Sequence, residues 1–276
     1  MKLKNFMIII ISCIGLIVLI LILGRINLSI KFSKQVKELF AQSGNISDKT
    51  FHQQQLYNLP EPVQRYFKHV LKAGQPYISY ARITHNGQFK TGLDKGWISI
   101  KGEQYATTEK PGFIWKGTTS MFTARDMFIA DKGRLIVSLL SIFNVVDGKG
   151  ESYNQGELLR WLGESVLYPT NLLGSERLEW FAIDHKTAKL SFNYHGLSLF
   201  FIITFNEIGE ITQMETKRYM EENKFETWII IMTNYMEMND VLVPLTFEVL
   251  WRLEKGDFSY AKFHVTEIEY NKPEKF

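Results

Sequence analysis

From Phe6 to Leu23 the chain carries no charged residue, and this run limits what the rest can be. Eighteen residues at the helical rise span roughly 27 Å, close to the hydrocarbon thickness of a bilayer. A transmembrane anchor over residues 1–24 follows. The competing reading is a cleavable signal peptide, but its apolar region is usually shorter and ends in a small-x-small site, which "LILGRINLS" does not offer. "IISC" at positions 10–13 has the form of a lipobox. Cleavage before Cys13 would leave "IGLIVLILIL" on the mature chain, so Cys13 reads as an ordinary apolar helix residue.

Orientation is not decided by charge, because Lys2 and Lys4 on one side oppose Arg25, Lys31, Lys34 and Lys37 on the other. A tail this short is most simply kept in the cytoplasm, which places the main domain outside, in a single-pass protein of the cell membrane. Residues 25–45 then read as a basic juxtamembrane stalk. Its lysines form a solvated flank within reach of anionic headgroups.

The 276 residues leave ample chain for a large core, read as one domain over 46–276. Cys13 is the single cysteine, so that domain has no thiol for a disulfide, a zinc site or a nucleophile. The net charge is +3 with both signs interleaved, and no basic stripe marks a nucleic-acid binder.

"NLPEPVQRYFKHVLKAGQP" carries its own punctuation, with prolines in the first turn and Gly74 and Pro76 at the stop. Val63, Tyr66, Phe67, Val70 and Leu71 share one face of that helix. A short helix capped by Ser47 is expected before it. From Tyr77 the texture turns β-like, with stretches such as "GWISIKGEQYATT" and "LSLFFIITFN" cut by "NG", "DKG" and "KPG". One helical interruption, "NQGELLRWLGESVLYP", divides the strands. The fold class expected is α+β: a transmembrane helix, then a large curved antiparallel sheet of about ten strands, half-barrel-like, covered by two or three amphipathic helices.

Within the interrupting helix, Leu158, Leu159, Trp161, Leu162 and Val166 occupy one broad arc, and Glu157, Arg160 and Glu164 the opposite one. On an exposed face such ion pairs contribute only about 0.2–0.5 kcal/mol, so the plain reading is a solvated polar face. The sharper reading needs that face to look into a cavity, where Arg160 holds an anionic headgroup and Glu164 holds the guanidinium. "TARDMFIADKG" sets Arg125 and Asp126 on opposite faces of one strand. Arg125, Asp126, Arg160 and Glu164, with Trp115 and Trp161, are the candidate ligand-binding residues. No catalytic residue is assigned.

The six histidines lack ligand spacing and read as surface or satisfied polar residues, and Asp184–His185 reads as a hairpin turn. No G-x-S-x-G, P-loop or G-x-G-x-x-G motif occurs, and no cofactor or metal is implied.

Taken in order, "LPEPVQRYFKHVL", "PGFIWKG", "ARDMF", "RWLGESVLYPTNLL", "LEWFAID" and "VLVPLTFEVLWRLEKGDFSYAKFHVTEIEY" resemble a family of uncharacterised bacterial membrane-anchored proteins, a domain of unknown function, over about residues 56–271. The resemblance implies no reaction. The expected layout is also loosely similar to the half-barrels of lipoprotein carriers in the cell envelope. The function expected is binding of a hydrophobic or amphiphilic ligand such as a lipid in a half-barrel cleft, beside the bilayer. The alternatives are an envelope enzyme acting on a membrane-linked substrate, or a structural or sensing module.

Overall fold

The structure is a computed structural model that describes residues 2–221 and 223–276. Its first element, α1 (Lys2–Ala41), is one unbroken helix, long and apolar enough over its early part to cross a membrane. Phe6 to Leu23 point their apolar side chains into the open. Further along, Leu28, Phe32, Val36 and Leu39 recur at helical spacing and are buried. Phe32, Val36 and Leu39 pack on Tyr105, Ile114, Met127, Ile129 and Ile136. Residues 25–45 are thus not a free stalk: behind the exposed Lys31, Lys34 and Lys37 runs an apolar stripe that needs a surface.

That surface is the outer face of a sheet made of two meanders. The first comprises β1 (Tyr80–Phe89), β2 (Ile98–Thr107), β3 (Gly112–Thr118), β4 (Phe122–Ile129), β5 (Lys132–Leu139) and β6 (Phe143–Lys149). The second comprises β7 (Leu178–Ala182), β8 (Thr187–Tyr194), β9 (Leu197–Phe205), β10 (Ile211–Glu221), β11 (Lys224–Met238), β12 (Val241–Leu253) and β13 (Gly256–Tyr270). They join along β1 and β13, Ala81 facing Tyr270 and Phe89 facing Ala261. The product is one antiparallel sheet of 13 strands, running from β6 to β1 and then from β13 to β7.

The strands that sequence reading passes over are β5 and β6. "RLIVSLLSIFNVV" has no glycine, proline or asparagine at its bend, which falls at Leu140–Ser141. Conversely Asn86–Gly87, read as a break, lies inside β1. There Gly87 permits close approach, because a Cβ would collide with the Lys262 carbonyl. Ser47 caps no helix; its hydroxyl accepts the Lys49 N–H at 3.2 Å, and the only helical turn nearby is the 3-10 segment Gln53–Leu56.

α2 (Glu61–Val70) forms as its punctuation requires and buries Val63, Tyr66, Phe67 and Val70 against β8 and β12. α3 (Glu151–Glu164) links the meanders and crosses the concave face. It touches β3, β4, β5 and β6 on one side and β9 and β10 on the other, strands far apart in the sheet order. Only a strongly curled sheet allows this. Register shifts at Thr84/His85, Val137/Ser138, Ile211/Gln213 and Val249/Leu250 supply the bends.

Phe32→Ala in the full chain should cost about 3–5 kcal/mol and lower the thermal midpoint by roughly 10 °C, read by calorimetry. Deleting residues 1–24, which among the described residues contribute no fully buried side chain and meet the sheet only where Gly24 passes Ile142, should leave the midpoint of the domain nearly unchanged. A Phe32→Ala midpoint equal to that of the parent would show that α1 does not dock.

Candidate functional site

The curl leaves a cleft of about 830 Å³ between the inner sheet face and α3. Because successive strand residues alternate faces, one set of side chains makes the wall. Ile100 and Trp115 come from β2 and β3, Ala124 and Asp126 from β4, Trp228 and Ile230 from β11, and Phe247, Val249 and Trp251 from β12. Most of this wall is apolar or aromatic.

The polar residues gather where α3 meets the wall. Arg160 donates from Nε to Glu164 Oε1 at 2.8 Å, from Nη2 to Gln104 Oε1 at 3.3 Å, and from Nη1 to Asp126. Gln104 Nε2 donates to Glu164 Oε2 at 2.7 Å, which closes a ring of three side chains, with Asp126 attached to it through Arg160. The Arg160 guanidinium also lies over Trp115, 4.7 Å from the ring centroid. One turn earlier on α3, Glu157 pairs with Arg218 of β10 at 3.5 Å, and Arg218 lies 4.5 Å over Trp228. Gly156 makes the space for this second guanidinium, since a Cβ there would stand 3.1 Å from Arg218 Nε.

Among the described residues, three polar atoms of this cluster are buried without a partner: Asp126 Oδ1, Glu157 Oε2 and Arg218 Nε. Such atoms cost free energy unless something else bonds to them. Burial, reinforced by the neighbouring Asp126, pushes the Glu157 carboxyl up to about 8. Burial also raises Asp126, opposed by the charge of Arg160. Glu157 therefore holds a proton near neutral pH and can donate as well as accept. His85 is brought down to about 4 by burial and by the nearby Arg160. Its neutral ring accepts the Trp115 indole N–H at 2.8 Å over Gly102, where any side chain would strike it, while Nδ1 has no partner. His85 is thus neither a surface residue nor a fully satisfied one.

Asp126, Arg160, Glu164 and Trp115 are brought together as one wall of the cleft. Arg125 is not among them; it points to the outer face and donates to Gln35 of α1 at 2.7 Å. Trp161 is core, with its indole N–H on the Thr107 carbonyl at 2.8 Å. The arc of Glu157, Arg160 and Glu164 is no solvated face, and Arg160, held by three side chains, is not a free anion clamp. Gln104, His85 and Arg218 escaped sequence reasoning, because only the pairing of distant strands brings them to α3; Glu157 was placed on the polar arc but not among the candidate site residues. Among the described residues no cluster has the make-up of a metal site.

The chain belongs to a family of unknown function (DUF6920), whose model matches residues 57–270. No curated protein matches it. Among solved structures it is similar to a LolA superfamily protein from Nitrosomonas europaea, at 9% identity over 76% of this chain and 91% of that one, with a TM-score of 0.42. It is also similar to a domain from Vibrio parahaemolyticus described as an outer membrane lipoprotein-sorting protein, at 9% identity over 70% and 85%, with a TM-score of 0.39.

The raised Glu157 carboxyl fixes a pH dependence. In the folded chain it keeps a proton that the unfolded chain, titrating near 4.5, gives up, so stability falls as pH rises from about 4.5 through about 8. Glu157→Gln should remove that loss. Its stability advantage over the parent should widen from pH 5 to pH 8 to roughly a few kcal/mol and then level off. Urea titrations at several pH values measure it, and a constant offset would refute the buried, protonated Glu157.

Proposed function

We propose that this protein is a single-pass membrane protein whose extracytoplasmic domain holds an amphiphile, the apolar portion along the aromatic wall and the polar end against α3. The observation that carries this is the cleft itself: an apolar hollow of lipid-sized volume with three unpartnered polar atoms gathered at one wall. A detergent-sized or acyl-chain ligand replaces water on Phe247, Val249 and Trp251 while its polar end completes Asp126 Oδ1, Glu157 Oε2 and Arg218 Nε. With Glu157 protonated, two carboxylates face two guanidiniums, so the cluster suits a neutral end group that both donates and accepts, such as hydroxyls, better than a free phosphate.

A second reading is favoured by one observation. A protonated Glu157 beside Asp126 is the arrangement that acid–base chemistry on a bound amphiphile would use. The two readings differ in what happens to the ligand.

Residues 25–276, which retain the docked part of α1, should carry a stoichiometric amphiphile when purified without detergent, detected by mass spectrometry of the extract. Ala124→Phe places a ring in the lumen and should empty it while leaving the fold intact. An empty parent domain, indifferent to delipidation, would end the carrier reading. Glu157→Gln distinguishes the alternatives: a carrier retains the same ligand mass as the parent, whereas an enzyme accumulates an unprocessed species. For the full chain, membrane fractionation should be lost on deleting residues 1–24.

A further inference from the structure

Turns of an antiparallel meander alternate between two ends of a sheet. The β1–β2, β3–β4, β5–β6, β10–β11 and β12–β13 turns therefore share one end, with Phe89 of β1 beside Ala261 of β13. The cleft opens among these turns, since Leu93, Phe122, Leu139 and Phe258 are part of its lining. Three observations converge on the same rim.

The turns carry bare apolar side chains, with Met121 64%, Phe143 63%, Leu93 58% and Leu140 45% exposed. The apolar run of α1 ends against them: a Cβ on Gly24 would stand 2.6 Å from Ile142 Cγ1. The β5–β6 turn, finally, is built against backbone preference. Leu140 and Ser141 have φ of 50° and 63°, at the two central positions where Asn or Gly ordinarily stand. By comparison the β11–β12 turn uses Asn239–Asp240 for the same conformation. The Ile142 N–H donates to the Leu139 carbonyl at 3.0 Å, and the Leu140 N–H to that of Met121 at 2.9 Å, so the two apolar tips are tied together. An apolar residue in a strained position, facing outward, does nothing for the fold and needs an apolar neighbour.

We infer that the β5–β6 tip, with Met121 beside it, dips into the bilayer: Leu140, Ile142 and Phe143 enter the leaflet that α1 enters, and this seats the mouth of the cleft on the membrane surface. The occupant is lipid because the tip touches the helix at the end of its membrane-length apolar run, where hydrocarbon surrounds both. Trp97, on the β1–β2 connection, suits headgroup depth, with Lys90 Nζ 4.6 Å and Lys262 Nζ 5.4 Å from its ring centroid. The inference rests on α1 being an anchor and does not require a filled cleft.

The full chain carrying Cys13→Ser and a single Leu140→Cys or Phe143→Cys, labelled with a polarity-sensitive fluorophore, is reconstituted in phosphatidylcholine–phosphatidylglycerol vesicles. A probe at Phe181→Cys, beside the β7–β8 turn at the other end, is the control. Nitroxide on the upper acyl chain should quench the probes at 140 and 143 several-fold more than the one at 181. Equal quenching, or protection that grows with protein density without quenching, as a second copy would give, overturns the inference. Leu140→Asn suits the turn and keeps the fold. It should reduce quenching of the probe at 143, and an unchanged signal counts against the tip. Flotation with the vesicles is scored separately: a chain that does not float loses anchor and inference together, whereas a floating chain with an aqueous probe at 140 loses only the inference.

Discussion

The ladder between β1 and β13 holds the molecule together, because it pairs the first strand with the last and turns two separate meanders into one curled sheet. Its register is pinned at one end by Asn271, whose Oδ1 accepts the Ser79 N–H at 2.8 Å and whose own N–H donates to the Tyr80 carbonyl at 2.8 Å. Arg82 and Glu269 pair across it on the outer face. A slip of one residue would send Ile83 and His85 outward and close the cleft with the wrong side chains. The bulge at Thr84/His85 sits in this same ladder, so the contact that joins the halves also sets the bend between them.

Enclosed by that curl, α3 has no solvated side from Gly156 to Gly163. Leu158, Leu159, Trp161 and Leu162 face the core, while Glu157 and Arg160 on the other arc face the cleft. Buried ion pairs seldom stabilise a fold better than apolar residues of the same size, since desolvation offsets most of the Coulomb attraction. Here the imbalance is explicit, with a carboxyl raised to about 8 and three polar atoms unbonded. A cluster that by itself detracts from stability would gain if, as proposed, a ligand supplied the missing bonds. That difference is what supports the proposal that α3 recognises a ligand rather than merely packing.

Local rules wrote much of the architecture into the sequence. α2 is bounded by its prolines and Gly74, the β textures of "LEWFAID" and "VLVPLTFEVLWRLE" became strands, and Asp184 turns a hairpin by accepting the Lys186 N–H at 2.8 Å. Misreadings occurred where tertiary contact overrode local signals. Asn86–Gly87 serves the close pass of Lys262 instead of a turn, and Leu140–Ser141 turns without any turn residue. The site was half legible: helical periodicity put Glu157, Arg160 and Glu164 on one face, and strand alternation split Asp126 from Arg125. Which face met water depended on strands paired across the whole chain, and no short-range pattern encodes that.

For the proposed occupant, the geometry of the rim decides whether the cleft can exchange with a membrane. Moving an acyl chain through water costs about 0.8 kcal/mol per CH₂, so a chain of ordinary length faces roughly 10 kcal/mol on leaving the bilayer unaided. A tether alone shortens the distance but leaves that cost in place. An apolar lip continuous with the lining, from Leu140 and Phe143 through Leu139 to Val137, offers contact at each step and removes most of it. Exchange then depends on the polar end group reaching α3, where the unpartnered atoms of Asp126, Glu157 and Arg218 wait at the inner wall. On that proposal, affinity for the chain and selectivity for the end group would reside in different parts of one cleft, the first in the sheet and the second in the helix that crosses it.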